Sequence, residues 1–122
     1  MSGQPRTVDV YGQASRALGT PRAIEYQVFS QVTAELQQAQ RQGDFPGLAE
    51  ALGRNGKLWA ALIADLSRSD NALPEALRAQ LISLGTFVLR HTRLVLRREA
   101  EAQPILDVNL AVMRGLRGAV AA

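Results

Sequence analysis

Few side chains in this sequence are of types that could do chemistry, and their spacing argues mostly for structure. His91 is the only histidine. A zinc site needs several nitrogen or sulfur ligands, and no second ligand type stands at helical spacing from it. Cysteine is absent, which removes thiolate ligands, disulfides and a cysteine nucleophile. The carboxylates form no cluster, and there is neither a Ser–His–Asp spacing nor a phosphate-cradling glycine loop between strand and helix. No catalytic, metal or cofactor residue is assigned, and the chain is not expected to be an enzyme. His91 is expected to be a buried or half-buried imidazole with one hydrogen-bond partner.

Polar groups on apolar faces are the more informative signal. Asn55 falls among Leu52, Trp59, Leu62 and Leu66, and Asn109 among Val112, Met113 and Leu116. An unpaired buried amide costs about 1–3 kcal/mol, so each must find partners. Either the two amides tie helices together and fix their register, or they line a groove for a partner's backbone; sequence leaves both open. Trp59 has the position of a core residue in a chain with so few aromatics. Arg90, Arg93 and Arg97 form a polar ridge with Arg98 beside it. Solvated arginines near a helix C-terminus complement its dipole without further purpose. As a binding strip they would suit an acidic protein partner better than RNA, because the ridge offers no aromatic for base stacking.

These residues must be positioned by helices. The apolar positions in Pro74–Arg98 (Leu77, Leu81, Leu84, Val88 and Val95, flanked by Ile82, Leu89, Leu96, Phe87 and Leu94) cover an arc of roughly 240°, against the ~100° stripe of a surface helix. So wide an arc predicts a central helix surrounded by others. Before it, Thr20-Pro21 opens a helix that carries Ile24, Val28, Phe29, Val32 and Leu36 to about Gln42, where Gly43 stops it. Asp44 to Gly47 reads as a connector. A further helix runs from about Leu48 to Ser67, with Gly53 and Gly56 inside it to permit close approach or a break. After Pro104 a last helix covers Ile105 to about Leu116. Residues 1–9 read as a flexible arm, a short helix fits Val10 to Leu18, and 118–122 read as a mobile tail. The expectation is an all-α, compact bundle of four to five helices around the apolar helix at about 74–98, in a single domain spanning 10–117.

Composition agrees. A length of 122 residues suits one domain, and 47% apolar with 5% aromatic content favours helix over strand. No apolar run approaches the ~20 residues that span a bilayer, and no secretion signal is evident, so a cytoplasmic protein without membrane contact is expected. Residues 1–89 are balanced in charge, and the net +3 resides wholly in the segment from Arg90 onward. That excess is small for a domain built on nucleic acid.

Taken in series, several pieces resemble the flagellar biosynthesis regulator FlaF family of alphaproteobacteria. They are Tyr11 with Ala14, Pro21-Arg22, Glu25-Tyr26, Val32-Thr33 with Leu36, Ala51-Leu52, Asn55, Leu58-Trp59, Asp65-Leu66, Asn71 and Leu73-Pro74. The series continues through Leu81-Ile82-Ser83-Leu84, His91-Thr92, Leu106, Val108-Asn109, Met113 and Gly115-Leu116, over residues 10–117. The resemblance implies a cytoplasmic protein needed for flagellin production and export. It would bind flagellin as a secretion chaperone and act opposite the translational repressor FlbT. An RNA-binding regulator of flagellin message, or a protein that bridges to FlbT, is the alternative.

Overall fold

A computed structural model describes residues 26–121, with side chains as far as Arg114. The expected arm, the Val10–Leu18 helix and the Thr20-Pro21 helix start lie outside the described residues, as do the side chains of the tail. Among the described residues there are four helices: α1 (Tyr26–Gln42), α2 (Phe45–Leu66), α3 (Glu75–Leu96) and α4 (Gln103–Ala121). The architecture is the expected all-α bundle. Cross-helix contacts give its sense: Phe29 meets Trp59 and Glu35 meets Arg54, so α1 and α2 run antiparallel. Leu66–Arg78 and Gly56–Leu89 do the same for α2 and α3, and Thr33–Asn109 with Gln40–Gln103 for α1 and α4.

Local chemistry sets the helix ends. Gly43 has φ +65 and ends α1, with its N–H on the Gln40 carbonyl and the Asp44 N–H on the Ala39 carbonyl. The stretch expected to be a connector instead begins α2. Asp44 is its N-cap, accepting the Gly47 N–H at 2.9 Å, and Pro46 stands in the first turn, where its missing N–H costs nothing. Pro104 plays the same part in α4, which starts at Gln103. That helix also continues to Ala121, beyond the expected end near Leu116, through a segment rich in alanine, the best helix former.

The α2–α3 connector is held by side chains reaching backbone carbonyls. Arg78 donates to Leu66 and Arg68, and Asn71 donates to Asp65 while accepting the Leu73 N–H. Asp70 is exposed, and hydrogen bonds from Arg68 hold its carboxyl below the ordinary range. An ion pair so exposed adds little stability.

Among the described helices the central one is α2, not the helix at 74–98. Ala51, Leu52, Asn55, Leu58, Trp59, Leu62 and Leu66 of α2 are all buried, whereas α3 buries only Gly85, Val88, Thr92 and Val95. Leu77, Leu81, Ile82, Leu84 and Leu89 are half-covered, and Phe87 and Leu96 are 41% and 42% exposed. The described helices cover one side of α3: it packs closely on α2 and more sparsely on α4. A wide apolar arc states how much cover a helix could use, not how much it receives.

Close approach occurs at a glycine the spacing did not single out. A Cβ on Gly85 would lie 2.7 Å from Trp59 Cε3 and 2.7 Å from Ile63 Cδ1. Ile63 could turn its end away, but the Trp59 ring is fully buried. Gly53 faces open space and a Cβ on Gly56 would be in ordinary contact with Leu89, so neither breaks α2. Gly85→Ala should therefore destabilise by about 1–3 kcal/mol through overpacking. Gly53→Ala should stabilise by about 0.5–1 kcal/mol through helix propensity. Urea unfolding of the two variants beside the parent checks both signs.

Candidate partner-binding site

The residues singled out from sequence separate into an interior set and an outer set. Inside, Asn109 joins three helices. Its Oδ1 accepts the Trp59 indole N–H at 3.1 Å, and its amide donates to Thr33 Oγ1 at 3.0 Å and to Asn55 Oδ1 at 2.8 Å. Asn55, Trp59 and Asn109 have no solvent exposure and Thr33 has 2%. Phe29 packs edge-on against the Trp59 ring, with centroids 5.6 Å apart. Among the described residues Asn55 Nδ2 is buried without a hydrogen-bond partner. In this arrangement the amides knit α1, α2 and α4 together rather than lining an open groove. Thr33 was not among the residues picked out for chemistry, although it stands four residues after Phe29 and three before Leu36 on the buried face of α1.

The series of residues that suggested a flagellar family thus has structural meaning at Thr33, Asn55, Trp59, Asn71 and Asn109. The family model described as flagellar protein FlaF matches residues 7–116. The chain belongs to the FlaF family. No curated protein and no solved structure matches it. Membership makes it a flagellar protein, and in this FlaF family member Thr33, Asn55, Trp59 and Asn109 of the series form the interior network while Asn71 clasps the α2–α3 connector. Among the described residues no helix is long and apolar enough to cross a membrane, and no three potential metal ligands gather.

The outer set lies on α3 and its C-cap residue. Arg90, Arg93 and Arg97 are exposed. Arg97 pairs with Glu99 at 3.2 Å, while Arg90 and Arg93 have no ion pair among the described residues. The exposed Phe87 stacks on His91, with centroids 5.3 Å apart and planes 24° apart. His91 is half-buried, and its Nε2–H donates to the Glu101 carbonyl at 2.8 Å, which ties α3 to the chain leading into α4. The carbonyl can only accept, so this bond fixes the proton on Nε2. The arginines therefore do not stand alone: the helical positions of Phe87 and Leu94 put apolar surface on one flank, and those of Leu96, Leu89 and Ile82 put it on the other. An acidic, amphipathic segment is what such a face can bind.

The interior network predicts unequal costs for its two amides. Asn109→Ala strands the Trp59 N–H and opens a void, and should destabilise by about 2–4 kcal/mol. Asn55→Ala removes a group already half unpaired and should cost at least about 1 kcal/mol less. Chemical denaturation of both variants, followed by Trp59 fluorescence, checks the ranking.

Proposed function

We propose that this FlaF family protein binds flagellin in the cytoplasm as a secretion chaperone and promotes flagellin synthesis and export. Family membership supplies the flagellar setting. The observation that carries the reading further is the outward face of α3, where the unpaired Arg90 and Arg93 stand between apolar flanks on which Phe87 and Leu96 are partly exposed. An export substrate held before assembly presents amphipathic helices, whose apolar stripes need cover until they polymerise. Apolar burial would supply most of the affinity, and the arginines would steer an acidic partner and set its register. FlbT is proposed as a second partner, acting in opposition.

One observation favours the rival reading. Phe87 is exposed next to Arg90, so the ridge does have an aromatic on which a base could stack. The salt dependence of binding separates the two. Flagellin binding should weaken only modestly with salt, whereas RNA binding through several phosphate contacts should fall steeply.

Calorimetric titration with monomeric flagellin at two salt concentrations is the test. The expected result is a complex with a negative heat-capacity change. Phe87→Ser with Leu96→Ser should weaken it by about tenfold or more, roughly 1.4 kcal/mol. Both side chains are more than half covered, so the melting temperature of the double variant is measured beside its affinity to separate lost binding from lost folding. No heat with any flagellin from the same organism overturns the chaperone reading. A tight complex with flagellin leader RNA, abolished by replacing Arg90, Arg93 and Arg97 together, would install the RNA reading in its place.

A further inference from the structure

At the end of the bundle where α1 and α3 finish, the two helices close with the same turn but different residues. Gly43 takes the left-handed position after α1, at φ +65, and Arg98 takes it after α3, at φ +61. The hydrogen bonds match: Arg98 N–H to Val95 and Glu99 N–H to Leu94 repeat the pair that Gly43 and Asp44 make with Gln40 and Ala39. Glycine is the residue this position favours, and a residue with a Cβ is strained there. Strain held in a turn that glycine would satisfy points to a use for the side chain.

That side chain is held in a defined place. Arg98 Cζ sits 4.1 Å from the centroid of the Phe45 ring. Stacking fixes the plane of the guanidinium and leaves its N–H edge free, and a planar fork of that kind matches a carboxylate in two-point fashion. No carboxylate of the described residues pairs with it. Asp44, the nearby acid, is occupied as the α2 N-cap. Beside the guanidinium opens a cleft of about 400 Å³, walled by Ala39, Leu48, Val95 and Ala102 as well as Phe45, with Asp44 and Glu101 at its border.

We propose that Arg98, stacked on Phe45, receives the C-terminal carboxylate of a partner polypeptide whose last apolar side chains enter this cleft. One cation bordered by two anions admits a single negative group and repels a run of acidic side chains. The apolar wall asks for an aliphatic stem behind that group, and a chain end that finishes in apolar residues has both features. None of Arg90, Arg93 and Arg97 lines the cleft, and the proposal stands whether or not flagellin is the partner.

The test is an NMR titration of the full chain with a short Ala/Gln/Leu peptide ending in two leucines, as the free acid and as the C-terminal amide. The free acid is expected to shift the amide resonances of Phe45, Leu48, Arg98 and Ala100, and to bind at least tenfold more tightly than the amide. Arg98→Gly should keep or raise the melting temperature, because it relieves the turn, and yet erase the preference for the acid. Arg98→Lys keeps the charge without the fork and should lose most of that preference. Equal binding of acid and amide, no binding, or shifts confined to other residues overturns the proposal. So does a lowered melting temperature in Arg98→Gly with the preference intact, which would make Arg98 a support for the turn alone. Tighter binding of a free fatty acid than of the peptide at these residues would overturn the polypeptide as occupant. None of these outcomes depends on the flagellin titration.

Discussion

Asn109 has a carbonyl and two N–H bonds to satisfy where it has no exposure to solvent, and everything central in the bundle is arranged so that it can. Trp59 supplies the donor, Thr33 and Asn55 the acceptors, from two other helices. A hydrogen bond inside a protein adds little on balance, but a missing one costs the full desolvation of the stranded group. That asymmetry gives α1, α2 and α4 one good register. Sliding any of them by a turn would strand several polar atoms at once, a penalty that apolar packing alone does not impose. The unpaired Nδ2 of Asn55 is the remaining imperfection, accepted within a network otherwise satisfied.

The position of α3 follows from the same centre. Trp59 is gripped by Asn109 on its edge and by Phe29 beside it, so it cannot yield to a helix arriving from the other side. Gly85 lets the α3 backbone come close enough to pack. What remains of the α3 apolar arc then points away from the core, where Arg90, Arg93 and Phe87 share the surface. The proposed binding face is thus a consequence of how the core is built: the side chains that fix α3 inward leave the others outward. At the bundle's end, the paired closing turns show a similar economy, with glycine serving one and an arginine stacked on Phe45 serving the other.

By itself the sequence determined the class of fold and most of the helix ends. Gly43, Pro74 and Pro104 restrict the backbone wherever they stand, and the four-residue stepping of Val28, Val32 and Leu36 is a property of the chain alone. It also marked Asn55, Trp59 and Asn109 as polar or aromatic groups on apolar faces, and, through the ordered series they belong to, the flagellar family. Local patterns carry this much because they are local.

Only the tertiary structure decided which helix is central and which face is free. The apolar arc at 74–98 is roughly 240° wide, yet α2 is the buried one, because burial depends on how many neighbours surround a helix. Partnerships between residues far apart in the chain, such as Thr33 with Asn109 or Trp59 with Gly85, leave no trace in spacing. The start of α2 was hidden for a different reason: Asp44 and Pro46 suit a turn and a helix start equally well, and the hydrogen bond from Gly47 selects the helix. Arg98 had no signal at all, since the left-handed turn it adopts is one where sequence leads one to look for glycine.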